Sequence, residues 1–85
     1  MINTSSIKIY PNPCAQYFNL EFDADFKPIE LMLINTLGYV VKTVKVNQQN
    51  KIEVNIGNLP NGNYIIRLLN DKEYSQAISL IKTQD

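Results

Sequence analysis

Apolar and polar residues alternate along much of this chain, with the two-residue repeat that is typical of half-buried β-strands. The repeat is clearest in residues 51–56. It recurs in residues 17–22, where it places Phe18 and Phe22 on the inward face. This pattern predicts strands, each with one face turned towards a common core.

Residues 29, 31 and 33 are apolar on one side of the repeat and residues 32 and 34 on the other, which predicts a strand covered on both faces. Turn residues 35–38 follow, with Gly38 expected to adopt a positive φ, and then Val40, Val44 and Val46 are expected to share one face. Polar residues 47–50 predict a second hairpin, between this strand and the next one. The predicted strands are 7–10, 17–22, 29–34, 39–46, 51–56, 64–69 and 74–81.

Short connections join all of these segments, and they leave no room for the helices that link parallel strands. The predicted fold class is therefore all-β, an antiparallel β-sandwich of about seven strands. Residues 74–82 also fit an amphipathic helix, but the turn expected before them favours a strand.

Composition narrows the classes of function. The 85 residues make one domain, and eight basic and eight acidic side chains are scattered without a basic stripe, so nucleic acid is not an expected partner. No apolar run is long enough to predict a transmembrane segment.

Candidate catalytic and metal-binding groups are few. The chain has no histidine and a single cysteine, so we expect no catalytic residues, no metal site and no cofactor. Glu21, Asp23 and Asp25 carry oxygen ligands for calcium, but they lack the spacing of a calcium loop. Tyr17 and Tyr39 are candidates for stacking on a sugar, although two tyrosines make a small platform.

Residues 59–64, Leu-Pro-Asn-Gly-Asn-Tyr, resemble a tyrosine corner, in which a tyrosine hydroxyl bonds to nearby backbone at the start of a late strand. Gly62 would supply the tight backbone and Tyr64 would pin the turn. Cys14 is most simply a small apolar core residue, although an exposed thiol there could also form adventitious dimers.

These motifs together resemble a known family. Tyr-Pro-Asn-Pro at residues 10–13, Leu-Gly at 37–38, the tyrosine motif at 59–64 and a last apolar strand ending at Lys82 are similar to the type A C-terminal sorting domain of the bacterial type IX secretion system. The resemblance covers residues 7–82. It gives the opening turn to Pro11, Asn12 and Pro13, the central turn to Gly38, the corner to Gly62 and Tyr64, and the terminal signal to Lys82.

The resemblance also implies a function. Such domains end larger exported proteins of Gram-negative bacteria and have an immunoglobulin-like sandwich fold. The partners it implies are the outer-membrane type IX machinery, a sortase-like protease that removes the domain, and the covalently linked upstream cargo. The localisation it implies is secretion or the cell surface, by way of the periplasm and outer membrane.

Domain bounds, a mode of recognition and an alternative function are also expected. Residues 1–6 would be a linker or cloning remnant, 7–82 the sorting domain and 83–85 a tail. A receptor would add a strand at the sheet edge near the C-terminus, with Lys82 selecting the partner. The alternative function is an immunoglobulin- or fibronectin-like accessory module that binds carbohydrate or acts as a spacer in a surface protein.

Overall fold

A computed structural model describes residues 7–22, 30–46, 51–70 and 77–83. These residues form seven β-strands and no helix. The strands are β1 (Ile7–Tyr10), β2 (Tyr17–Phe22), β3 (Glu30–Asn35), β4 (Val40–Lys45), β5 (Lys51–Asn55), β6 (Gly62–Leu69) and β7 (Ile78–Lys82). In the part of the chain described, there is thus no helix long and apolar enough to cross a membrane.

The strands form two antiparallel sheets, as the sequence predicts. One sheet has the order β1-β2-β5 and the other the order β4-β3-β6-β7. The first, second and fifth strands therefore face the remaining four, which is the arrangement of an immunoglobulin-like sandwich. The predicted fold class is confirmed.

Inward-facing residues of both sheets make one core. The prediction that Phe18 and Phe22 are buried is confirmed, and Cys14 also lies in this core as a small apolar residue. Its burial, at 2% exposed, contradicts the expectation of an exposed thiol that forms dimers. The buried apolar residues are Cys14, Phe18, Leu20, Phe22, Leu31, Leu33, Val46, Val54, Ile56, Tyr64, Ile66, Leu68 and Leu80.

The predicted hairpin between the fourth and fifth strands is wrong. β4 pairs with β3, whereas β5 pairs with β2 in the opposite sheet. The chain therefore crosses from one sheet to the other between β4 and β5. A polar segment between two strands looks the same in sequence whether the strands pair or face each other across a core. The connecting residues 47–50 lie outside the described residues.

The predicted face of Val40 is also wrong. The register of β4 against β3 shifts between Leu33 and Ile34, so that Leu33 lies opposite Lys42 and Ile34 lies opposite Val40. This bulge adds one residue to β4 and turns Val40 to the outer face, where it is 50% exposed.

The outer face of β3 is less covered than predicted. Leu31 and Leu33 are buried, but Met32 and Ile34 are only half-buried. The two described layers leave the outer side of the four-stranded sheet without a third layer to cover it.

The last segment is a strand, as favoured over a helix, although residues 74–76 lie outside the described part. β7 pairs antiparallel with β6 over Ile78–Lys82. β6 begins at Gly62 rather than at the predicted Tyr64. β7 is thus the edge strand of the larger sheet.

Candidate functional site

The side chain of Asn12 holds the outer edge of β7. Its Nδ2 donates to the Ser79 carbonyl oxygen at 3.0 Å, and its Oδ1 accepts from the Ile81 N–H at 3.0 Å. The primary amide thereby copies the donor and acceptor that a neighbouring strand would present. The Tyr10–Pro11 and Asn12–Pro13 peptide bonds are both cis.

Cys14 continues the same contact with its backbone. Its N–H donates to the Ile81 carbonyl oxygen at 2.9 Å, and its own carbonyl oxygen accepts from the Thr83 N–H at 2.7 Å. The Thr83 hydroxyl lies 3.3 Å from the same oxygen. Cys14 and Lys82 thus form a short parallel bridge. We call residues 12–14 the strap, because they run along β7 on the side opposite β6.

The strap leaves little of the β7 edge for a partner. Ser79, Ile81 and Thr83 all use outward backbone groups to bond with the strap. A receptor strand would have to displace it before it could pair there. Addition of a receptor strand at this edge would therefore require the strap to move, and it stays a prediction.

The segment after the strap ties it to the other sheet. The Ile56 N–H, one residue after the end of β5, donates to the Gln16 carbonyl oxygen at 2.8 Å. Residues 12–16 consequently bond to β7 in one sheet and to the residue after β5 in the other, and they link the two layers at this end of the sandwich.

The predicted tyrosine corner is confirmed. The Tyr64 hydroxyl donates to the Pro60 carbonyl oxygen, and the tyrosine is 5% exposed near the start of β6. Gly62 has a φ of +147°, which a residue with a Cβ rarely adopts. The hydroxyl thereby fixes the loop that leads into β6.

Lys82 is buried, with 6% of its surface exposed, and its ammonium donates to the Asn61 Oδ1 at 3.1 Å. It lies opposite Gly62 in the pairing of β6 with β7. Tyr64 and Lys82 therefore bond to adjacent residues of one loop, Pro60 and Asn61. Because Asn61 and Lys82 lie 21 residues apart, the sequence does not reveal this contact.

An open groove of about 670 Å³ lies beside these residues. Its lining comes from residues 15–16 after the strap, from residues 57 and 59–61, and from Lys82 and Thr83 at the end of β7. Lys82 supplies the only full positive charge of the described lining, and no acidic residue belongs to it. The groove is thus a polar, cationic recess beside the C-terminal end of β7.

Burial raises the pKa of the Cys14 thiol above its ordinary value of 9.0. The positive charge of Lys82 and a backbone hydrogen bond oppose this rise, because both favour the thiolate. Cys14 is therefore protonated at neutral pH and suited to packing, not to nucleophilic chemistry.

Gly38 occupies the β3–β4 turn with a φ of +90°, as predicted. The Asn35 Oδ1 accepts from the N–H groups of Leu37 and Tyr39, at 2.9 and 3.0 Å, and fixes the same turn. Gly38 lies outside the groove lining.

The structure brings most of the predicted site residues to the end of β7: Asn12 contacts its outer edge, Gly62 and Tyr64 pair with it, and Lys82 belongs to it. Pro11 and Pro13 flank Asn12, and Gly38 stands apart in its turn. The sequence pattern gives no sign of the roles of Asn61 and of the Cys14 and Thr83 backbones. Their partners lie far away along the chain, so only the fold reveals them. Roles in recognition for the seven predicted residues stay predictions.

The other sequence candidates form no site within the described residues. Glu21 accepts a hydrogen bond from the Tyr10 hydroxyl and lies opposite Lys51, while Asp23 and Asp25 fall outside the described residues. The described ranges hold no cluster of three metal-ligating residues. Tyr17 and Tyr39 are 46% and 67% exposed, but Tyr17 belongs to the three-stranded sheet and Tyr39 to a turn of the other.

These features define a class of protein: a small immunoglobulin-like sandwich whose last strand is held by β6 on one side and by the strap on the other. The chain belongs to the family described as "Secretion system C-terminal sorting domain", whose model matches residues 8–83. Domains of this family are C-terminal signals for type IX secretion. Comparison with curated proteins finds no significant match.

Proposed function

We propose that this domain directs a larger cargo protein through the outer membrane by the type IX secretion machinery and is then removed by a sortase-like protease. The cargo would lie upstream in the same polypeptide and would end in the medium or at the cell surface. The observation that carries this proposal is the family match, which spans residues 8–83.

The placement of the predicted residues supports the proposal. Hydrogen bonds at one end of the sandwich, around β7, come from Asn12 of the strap, Tyr64 of the corner and Lys82. Residues far apart in the sequence thus meet at one end of the sandwich, so a receptor that bound this end would recognise only the folded domain.

We further propose that the domain has no catalytic activity of its own and needs no cofactor. The chain lacks histidine, and its one thiol is buried with a raised pKa. Chemistry would then belong to the cargo and to the protease that removes the domain. An isolated domain that turned over a substrate above a buffer control would contradict this part of the proposal.

Export of a reporter tests the proposal. A secreted fluorescent protein followed by this chain is expressed in a type IX-competent Gram-negative host, and reporter outside the cells is compared with a version that lacks residues 77–85. We expect the deletion to abolish export. Unchanged export after the deletion would contradict the proposal.

A matched control separates signal from folding, because the deletion also removes the buried Leu80. Val54→Ala creates a cavity in the opposite sheet and leaves β7 intact. We expect this variant to be exported in proportion to its folded fraction. Removal of residues 84–85 alone, beside Lys82→Met, shows whether the chain end or the lysine is needed.

A further inference from the structure

We infer that the groove beside β7 is a carboxylate-binding site, in which the Lys82 ammonium pairs with an aspartate or glutamate side chain of a partner polypeptide. The inference rests on the proposed function, because it assigns the chemistry of the surface that the secretion machinery presents to this domain.

Lys82 is a buried cation with a neutral partner. Lysine is almost never fully buried unless its charge is paired, since removing an ammonium from water is costly. Its side chain here is held by Asn61, whose Oδ1 satisfies one of the three N–H donors of an ammonium. The described groove lining contains no carboxylate that would balance the charge. An anion in the groove would supply the counter-charge that the described lining lacks.

The size and lining of the groove suit a segment of polypeptide. Its volume of about 670 Å³ lies within the range of ligand pockets. Leu59 and Pro60 provide an apolar wall, while Gln16 and Thr83 add polar groups. A side chain that ends in a carboxylate would meet both the apolar wall and the ammonium in such a recess.

The charge of the site favours a carboxylate over a phosphate. Lys82 is the single full positive charge among the described lining residues, and a carboxylate carries one negative charge. A phosphate dianion would leave an unbalanced negative charge in the groove. Phosphate groups are normally met by several cations or by bidentate arginine, and neither lines this site.

The rival occupant is a carboxylate of this same chain. Asp85 is the acidic residue nearest to Lys82 in sequence. If Asp85 filled the groove, the site would be closed to partners, and the Asp85→Asn variant would open it. The experiment therefore includes this variant.

The test is a titration of the ¹⁵N-labelled 85-residue chain, followed by amide chemical shifts. The probes are acetyl-Gly-Glu-Gly-amide and its neutral match, acetyl-Gly-Gln-Gly-amide. We expect the glutamate peptide to give saturable shifts at Gln16, Asn61 and Thr83, with a dissociation constant on the order of 1 mM. The glutamine peptide should bind at least about tenfold more weakly than the glutamate peptide. The glutamate peptide should lose affinity by the same factor when it is titrated into Lys82→Met.

Several outcomes would overturn the inference. These are equal binding of the two peptides, no saturable shift in the groove, a stronger response to inorganic phosphate than to the glutamate peptide, or tighter peptide binding after Asp85→Asn. Unchanged binding by Asp85→Asn supports a partner's carboxylate. If Lys82→Met does not fold, the comparison of the two peptides on the unsubstituted chain decides.

The titration is independent of secretion. A domain that exports its reporter but ignores the glutamate peptide would contradict this inference and leave the proposed function standing. A domain that binds the peptide but exports nothing would contradict the proposed function and leave the carboxylate site standing.

Discussion

The side chain of Asn12 and the backbone of Ile81 are joined by a hydrogen bond of 3.0 Å, across 69 positions of sequence. With the second bond, to the Ser79 carbonyl oxygen, this amide attaches the segment after the first strand to the last strand. The two ends of the described domain are thereby held together, and the C-terminal strand depends on a residue close to the N-terminal boundary.

Asn12→Ala should loosen β7. The substitution removes both bonds to the strand, and we expect the free energy of unfolding to fall by about 1 to 2 kcal/mol, the scale for exposed neutral hydrogen bonds. Urea unfolding measures this loss, and hydrogen exchange should quicken at the Ile81 amide. Asn58→Ala, at an exposed loop position, is the matched control. Equal stability of the two variants would contradict the role given to Asn12.

Tyr64→Phe should weaken the loop before β6. The ring remains in the core, but the bond to the Pro60 carbonyl oxygen is lost, at an expected cost of about 1 kcal/mol or somewhat more. Tyr39→Phe removes a hydroxyl from a residue that is 67% exposed and should change stability by less than about 0.5 kcal/mol. Thermal or urea unfolding of the pair checks the difference, and similar losses in both would argue against a corner.

Gly38→Ala should strain the β3–β4 turn. At a φ of +90° the added Cβ meets no atom within 4 Å, so the cost is conformational and not steric crowding by neighbours. We expect a loss of about 1 to 2 kcal/mol. Gly57→Ala is the control, because its Cβ would have ordinary contacts with Asn55 and Gln16. A Gly38→Ala variant as stable as Gly57→Ala would contradict the assigned turn geometry.

Cys14 should make stability depend on pH in the alkaline range. Its pKa in the folded domain is raised by burial, so the unfolded chain loses the thiol proton first, near its ordinary value of 9.0. The contribution is therefore complete below pH 9.0 and is lost as the pH rises through the raised folded-state value. Urea unfolding across this range should show the fall, and Cys14→Ala should lack this component. Parallel curves for the two proteins would contradict the burial of a protonated thiol.

The sequence was sufficient to predict the strands and the fold class, because the two-residue repeat reports directly on which side of a strand is buried. It also predicted local features such as the Gly38 turn and the Tyr64 corner, whose hydrogen bonds join residues only a few positions apart. The β4–β5 hairpin and the inward Val40 were wrong, since pairing partners and a bulge depend on contacts between distant segments.

The candidate site was harder to predict for the same reason. Asn12 and Lys82 were identified by resemblance as parts of an opening turn and a terminal signal, but neither Asn12 bonding to β7 nor Lys82 bonding to Asn61 leaves a pattern in sequence. A lysine near the end of a chain is normally exposed to solvent, whereas this one is buried.

Export of a reporter tests directly the claim that this chain is a type IX sorting signal. One reporter, joined upstream of this chain, is compared between a host with an intact type IX machinery and the same host without its outer-membrane translocon. If the chain is a sorting signal, the reporter should appear outside the intact cells and remain inside the cells that lack the translocon. Equal amounts of external reporter in both hosts would contradict the claim.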